Sequence, residues 1–268
     1  MERPLISVLL SAYNAQDTVA QAITSCLDQS MKDIEVVAID DGSKDNTLNI
    51  LRDFAKQDGR VRVFSHPNIG LTRSLNQGLW LCQAPIVARL DADDTCLANR
   101  LQRQWDFLHT HPDYGLVGGQ VLLEMGTVRN LLAMPITHRE ILDLLPRENP
   151  IAHPAVAFCR QLVLDLGGYD ERFRYSQDYD LWFRLLKRAK GYNLPWPVIL
   201  RRIDNDMIGE AHGQAQLAYS IMARLKNLKI SPDRTETLKT MVKLGIKLPV
   251  YFPIIRQFYR TIKKNREG

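Results

Sequence analysis

Three places in the chain gather side chains able to do chemistry. Ser11 and Tyr13 follow one apolar run, Asp40 and Asp41 follow a second, and Asp91, Asp93 and Asp94 follow a third. A single Asp after a strand is commonly a turn former or helix cap. Two acidic clusters converging on one crevice are a different matter, because like charges repel unless a cation or hydrogen-bond donors offset them. The grouping points to a divalent metal and a phosphate-bearing ligand. The chain has no Walker A loop and no GxGxxG after its first apolar run. Phosphates would therefore be held through metal rather than in a glycine-rich cradle.

The elements that position these residues read as strands alternating with helices. Leu5 to Leu10 is a buried-strand run, and Val19, Ala22, Ile23, Cys26 and Leu27 then recur at helical spacing. Ile34 to Ile39 is a second strand. Ser43 is placed to cap the next helix, which carries Leu48, Leu51, Phe54 and Ala55 and stops near Gly59. Val61 to Phe64 is a third strand, Leu71, Leu75, Leu79 and Cys82 mark a third helix, and Pro85 to Leu90 is a fourth strand. This alternation predicts an α/β fold with a doubly wound, mainly parallel sheet and right-handed crossovers. In such sheets ligands bind outside the carboxyl ends of the strands, where all three polar clusters fall.

Composition sets bounds on the rest. The 268 residues are 45% hydrophobic and 24% charged, which excludes wholesale disorder, a collagen-like repeat or a coiled-coil rod. Cys26, Cys82, Cys96 and Cys159 lie far apart without zinc-site spacing, as reduced thiols of a cytoplasmic protein would. Glu2 and Arg3 before a short run containing Ser7 and Ser11 do not read as a signal peptide. The net charge of +5 is unevenly placed: residues 239–268 carry eight Lys/Arg against one acid, leaving the preceding chain at −2. Nucleic-acid binding calls for a basic stripe across a folded face and is not expected here.

The polar clusters, in order, resemble the family 2 inverting glycosyltransferases of bacterial polysaccharide type. The resemblance runs through Ala12-Tyr13-Asn14, Asp40-Asp41-Gly42-Ser43 and Asn68 to Leu79. It continues through Asp91-Ala92-Asp93-Asp94, Asn149 to Pro154, Gly167-Gly168-Tyr169-Asp170 and Gln177 to Trp182, covering about residues 4–205. It implies a GT-A fold, a nucleotide-sugar donor that is usually UDP-linked, and a divalent Mn or Mg ion. By resemblance, Ser11 and Tyr13 sit beside the base with the Tyr13 ring available to stack. Asp41 accepts from the uracil N3–H, with Asp40 as the adjacent alternative or a helix cap. Asp91 bonds the ribose and Asp93 binds the metal. Asp94 is expected to face away or to cap the helix near Asn99. Arg73 is either a donor contact or a surface helix residue.

For the chemistry, the resemblance makes Asp178 the base that deprotonates the acceptor hydroxyl, with helix capping as its other reading. Gln177 stands where Glu is commoner, and Asp180 is expected to point elsewhere on the same helix. His153 lines the acceptor side, and Trp182 is either core or an acceptor platform. Asp204 falls where relatives often carry a His near the diphosphate, and His212 from the following segment is the compensating metal-side candidate. The acceptor is expected to be a saccharide or lipid-linked saccharide.

The expected organisation is a GT-A domain over 1–208, with a nucleotide-binding half over 1–110 and an acceptor half over 111–208. A basic helical extension follows over 209–268. Its longest uncharged stretch, Leu248 to Ile255, contains Pro249 and Pro253 and is far shorter than the ~20 residues that cross a bilayer. Tyr251, Phe252, Phe258 and Tyr259 beside Arg256, Arg260, Lys263 and Lys264 suit peripheral contact with the anionic inner face of the cytoplasmic membrane, or a helix packed on the body. Two other functions fit parts of the chain. Asp91-Ala92-Asp93-Asp94-Thr95 matches the nucleophile motif of haloacid-dehalogenase-like phosphatases, with Asp91 phosphorylated, and an inactive sugar-nucleotide-binding scaffold would keep the donor residues alone.

Overall fold

The computed structural model describes residues 3–203 and 210–245. Its first half is the alternation read from the sequence: β1 (Ile6–Ala12), α1 (Val19–Leu27), β2 (Ile34–Asp40), α2 (Thr47–Gln57), β3 (Val61–Ser65), α3 (Leu71–Leu81) and β4 (Ile86–Asp91). These four strands are mutually parallel in the order β3-β2-β1-β4. β1 and β2 are buried on both faces, which is why they read as unbroken apolar runs. Val8 and Leu10 pack with Val19, Ala22, Ile23 and Cys26 on one side, while Leu9, Val37 and Ile39 pack with Leu75 and Leu79 on the other. α3 lies so close to the sheet that a Cβ on Gly78 would stand 2.2 Å from Leu9 Cδ1.

The second half is mixed rather than parallel. It comprises β5 (Asp94–Cys96), α4 (Arg100–Thr110), β6 (Tyr114–Met125), β7 (Val128–Leu132), α5 (His138–Leu144), β8 (Ala157–Cys159), α6 (Arg160–Asp165), α7 (Gln177–Leu185) and β9 (Lys190–Arg202). β8 runs antiparallel between β4 and β6, β9 pairs parallel with β6, and β5 closes the order antiparallel to β9. The long β9 therefore carries Arg201 back beside Asp94.

The C-terminal extension is helical in its described part, with α8 (Glu210–Asn227) and α9 (Arg234–Gly245). Met241 and Leu244 pack on Leu217, Ala218 and Ile221, so residues 239–245 belong to a packed helix. The remainder of the basic segment, 246–268, lies outside the described residues, as do Asp204 and the His212 side chain. No helix among the described residues is long and apolar enough to cross a membrane. The four cysteines are free thiols.

One local expectation fails. Ser43 does not cap α2. Its Oγ accepts the Asn14 N–H at 3.0 Å, and the helix starts at Thr47, whose N–H and hydroxyl both bond Asp45 Oδ1 at 3.0 and 2.6 Å.

Candidate active site

The loops after β1 and β2 are built as one unit at the carboxyl edge of the sheet. Asn14, in the left-handed region at φ 50°, accepts the Lys44 N–H through Oδ1 at 2.9 Å, and Ala15 N–H donates to Thr47 Oγ1 at 2.8 Å. Ser11 lies in register between Ile39 and Asp91, while Tyr13 projects with 47% of its surface exposed. Both acids of the next pair are buried and hold backbone. Asp40 accepts from Ser43 N–H at 3.2 Å and Ser65 Oγ at 2.9 Å. Asp41 takes the N–H groups of Ile69 and Gly70, one on each oxygen, at 2.8 and 3.0 Å. Gly42 is required between them and the next strand. Its φ is +72°, and a Cβ there would stand 2.5 Å from the Asn68 nitrogen.

The third cluster is the most charged. Carboxylate oxygens of Asp91, Asp93 and Asp94 lie within 4.8 Å of one another. Asp94 is not turned away and caps no helix: it opens β5, is 1% exposed, and neither of its oxygens has a hydrogen-bond partner. Buried carboxylate oxygens without donors are costly, and the three carboxylates together offer hard, anionic ligands of the kind Mg and Mn take. The residues fit a divalent ion. Burial first, then the charges of Asp91 and Asp93, push the Asp94 carboxyl up to about 8. Burial and the charge of Asp91 raise Asp93 as well. Asp91 goes the other way: burial opposes its ionisation, but the charge of Arg89, aided by Arg201, holds it below the ordinary range.

Two cations at this cluster were not singled out from the sequence. Arg89 has no exposed surface and donates to Asp91 and to the Leu90 carbonyl from beneath the site. Its signal was available, since an Arg inside the run Ile86-Val87-Ala88-Arg89-Leu90 must be buried with a partner. Arg201 is exposed and lowers the carboxyls of all three acids. Nothing local could reveal it, because β5 and β9 meet across more than a hundred residues.

Asp178 stands on the other wall, at the second position of α7 after Ser176, so it is not the residue preceding the helix. Its Oδ2 accepts from Asn149 Nδ2 at 2.7 Å. Burial raises its carboxyl despite that bond and two backbone N–H groups, and the charge of Asp91 adds to the rise. Asp180 points into the protein as expected, fully buried and paired with Arg184 and Lys226.

The neighbouring aromatic residues are corrected by the packing. Trp182 has no exposed surface and belongs to the core, so it offers no platform to an acceptor. α7 is covered on nearly every side. His153 is also buried rather than lining an open wall. Its Nε2 meets the Tyr169 hydroxyl at 2.9 Å, and burial with Arg89 pushes the imidazole down to about 3 despite Asp91. It is a neutral spacer beneath the crevice. Arg73 sits exposed on α3 and pairs with Glu171 at 3.2 Å, which takes the surface-helix alternative. The rest of its motif is structural: Asn76 grips the backbone of Tyr169 at 2.8 and 2.9 Å, and Thr72 Oγ1 donates to the Phe173 carbonyl at 2.6 Å. A carboxylate triad on a buried Arg thus lies at the parallel sheet edge, with Asp178 near enough to Asp91 to feel its charge.

The family model described as Glycosyl transferase family 2 matches residues 7–167. The chain belongs to glycosyl transferase family 2. It is 28% identical to the amylovoran biosynthesis glycosyltransferase AmsE of Erwinia amylovora, over 98% of this chain and 100% of that protein. It is 31% identical to the O-antigen biosynthesis glycosyltransferase WbnJ of Escherichia coli, over 87% of this chain and 91% of that one. Among solved structures, Staphylococcus aureus TarS 1–349 in complex with UDP-GlcNAc superposes with a TM-score of 0.67 at 16% identity, covering 88% of this chain and 72% of that one. The mannosyltransferase PcManGT of Pyrobaculum calidifontis, in complex with GDP-Man and Mn2+, gives 0.68 at 17% over 98% and 74%. The fold is GT-A, and the chain is a family 2 glycosyltransferase. The haloacid-dehalogenase alternative for Asp91 and the inactive scaffold are not favoured.

Proposed function

We propose that the chain transfers a hexose, with inversion, from a UDP-linked donor to a hydroxyl of a saccharide or lipid-linked saccharide in cell-envelope polysaccharide synthesis. The observation that carries this reading is the carboxylate triad of Asp91, Asp93 and Asp94 at the sheet edge, whose buried Asp94 oxygens lack any donor. The names of AmsE and WbnJ support the pathway, and the UDP-GlcNAc and GDP-Man complexes of neighbours support a nucleotide-sugar donor.

In this reading Tyr13 stacks on the base beside Ser11. Asp41, or Asp40 next to it, supplies the acceptor for uracil N3–H from a lone pair left free by the backbone bonds, and Asp91 reaches the ribose. Asp93 and Asp94, with Asp91, would hold Mn or Mg, and His212 is a further metal-side candidate. A divalent ion, when bound, would supply positive charge to offset that on the departing diphosphate. Arg201 adds a cation facing the same phosphates. Without it, three carboxylates against Arg89 and a divalent ion leave no positive charge to attract a dianion. Asp178 takes the proton of the acceptor hydroxyl on the opposite face of the sugar, so a single displacement inverts the anomeric centre. The GT-A domain is assigned to 1–208, divided near 110, with the extension over 209–268. The protein is placed in the cytoplasm, peripheral on the membrane through its basic end.

Thermal-shift titration with UDP, GDP and ADP, each with Mn and in chelator, tests the reading. UDP should stabilise the protein most, and only with Mn. Equal shifts from all three nucleotides would remove the uridine assignment, and an undiminished UDP shift in chelator would remove the metal.

A further inference from the structure

The C-terminal extension reaches the reaction centre through a set of contacts that packing alone does not explain. α8 holds the chain on both sides of the Asn149–Asp178 hydrogen bond, at residues two positions from each partner. On one side, Lys226 Nζ and Asn227 Nδ2 converge on Oδ1 of Asp180, at 2.7 and 2.8 Å, two residues along α7 from Asp178. Oδ2 of the same buried carboxylate takes Arg184 at 2.9 Å, and Lys226 also bridges to Asp170 at 2.8 Å. Ser176, which precedes α7, donates to the Gln216 carbonyl of α8 at 3.3 Å.

On the other side, the buried Arg224 donates to the carbonyls of Pro146 and Arg147, the turn that leads into Asn149. Its guanidinium lies 4.8 Å over the Tyr179 ring, and the Tyr179 hydroxyl donates to the Leu145 carbonyl. The 145–149 segment and the start of α7 are thus held against one another by residues of α8.

A buried ion pair is poor evidence for stability, since desolvation offsets most of its attraction. A planar guanidinium donating to two carbonyls, and an ammonium shared by two carboxylates, instead fix relative position. Holding reacting groups to within a fraction of an ångström is worth large factors in rate.

We propose that Arg224 and Lys226 of the extension are positioning residues for the transfer reaction, setting the alignment of Asp178 through Asn149 on one side and Asp180 on the other. The proposal rests on reading Asp178 as the base. It makes the extension part of the catalytic architecture rather than only an attachment, and it separates donor binding from acceptor activation along the chain.

The test uses the full-length protein, the UDP-hexose that the wild-type chain turns over among UDP-glucose, UDP-galactose and UDP-N-acetylglucosamine, and Mn. Arg224→Gln and Lys226→Met should each lower kcat by about 10- to 100-fold, with UDP affinity and the donor KM changed by less than about twofold. Lys226→Arg, which keeps a bridging cation, should recover most of the lost kcat. Arg224→Gln combined with Asn149→Ala should cost little more than Asn149→Ala alone, because both act through one hydrogen bond. If either single variant proves unfolded by circular dichroism, Asp180→Asn with Lys226→Met, which leaves Arg184 its carbonyl partners at Leu166 and Gly168, should still show the kcat loss. Loss of UDP affinity in parallel with kcat, no rescue by Lys226→Arg, or full additivity with Asn149→Ala would overturn the positioning role. Normal transfer by Asp178→Asn would instead remove the base assignment beneath it.

Discussion

The guanidinium of Arg89, with no surface of its own exposed, is paired with the carboxylate of Asp91 at the floor of the crevice. It rises from the middle of a buried strand, and its ion-pair partner among the described residues is the acid two residues on. The same acid is then held ionised for the site above.

Breaking this pair should be costly. Arg89→Met leaves Asp91 next to two further carboxyls with no fixed cation below, and removing one partner of a buried pair costs about 3–5 kcal/mol. Urea unfolding in chelator should show that loss, and Mn should restore part of it by supplying positive charge to the same cluster. Equal stability of Arg89→Met and wild type in chelator would show that Arg89 does not carry the balance.

Asp94 makes the metal-free protein sensitive to pH. Its carboxyl is raised from the ordinary value to about 8, so between roughly pH 4 and pH 8 the native state keeps a proton that the unfolded chain has released. The stability contributed by the protonated group is therefore complete at low pH and lost as pH rises toward 8. Thermal melts in chelator should fall across that window, and Asp94→Asn should flatten the fall. A cation must displace the proton, so Mn affinity should climb with pH up to about 8. Melts of wild type and Asp94→Asn that run parallel across the window would contradict the assignment.

Base recognition divides between stacking and hydrogen bonding. Tyr13→Ala should weaken UDP by about tenfold, since a base–aromatic stack is worth about 1–3 kcal/mol. GDP and ADP should weaken alike. Asp41→Ala should instead erase the preference for UDP and also loosen the loop, because Asp41 holds the Ile69 and Gly70 N–H groups. Calorimetry with the three diphosphates separates the two effects, and a UDP preference unchanged in Asp41→Ala would move the assignment to Asp40.

The basic end should act independently of the donor site. Residues 239–245 are part of α9, so the informative truncation removes 246–268 and leaves that helix whole. At about 1 kcal/mol per basic residue near an anionic surface, this segment can supply several kcal/mol. The truncated protein should no longer sediment with phosphatidylglycerol vesicles yet should bind UDP normally. Vesicle binding that survives truncation would place the contact elsewhere.

The legible parts of the molecule are those governed by neighbours in sequence. β1, β2 and β4 are apolar runs because both sheet faces are covered, and α1 and α3 show their buried stripe directly. The acids at the strand ends were visible for the same reason, since the topology alone brings strand ends together. What could not be read locally depends on distant pairing. Asp94 was expected to turn away because a three-residue strand has no periodicity, and only its pairing with Arg201 on β9 turns it inward. Trp182 could not be assigned because α7 is apolar enough to be buried on several faces. Ser43 had the right residue type for a cap, but Asp45 supplies the acceptor that starts α2.

The most direct measurement is the transfer rate of Asp178→Asn at saturating UDP-hexose and Mn. The substitution preserves size and can keep the contact with Asn149, but it removes the group that accepts the proton. Transfer should fall by roughly two to four orders of magnitude, the usual worth of a positioned base, while UDP binding with Mn stays within about twofold of wild type. A variant that transfers at the wild-type rate would contradict the account at its centre.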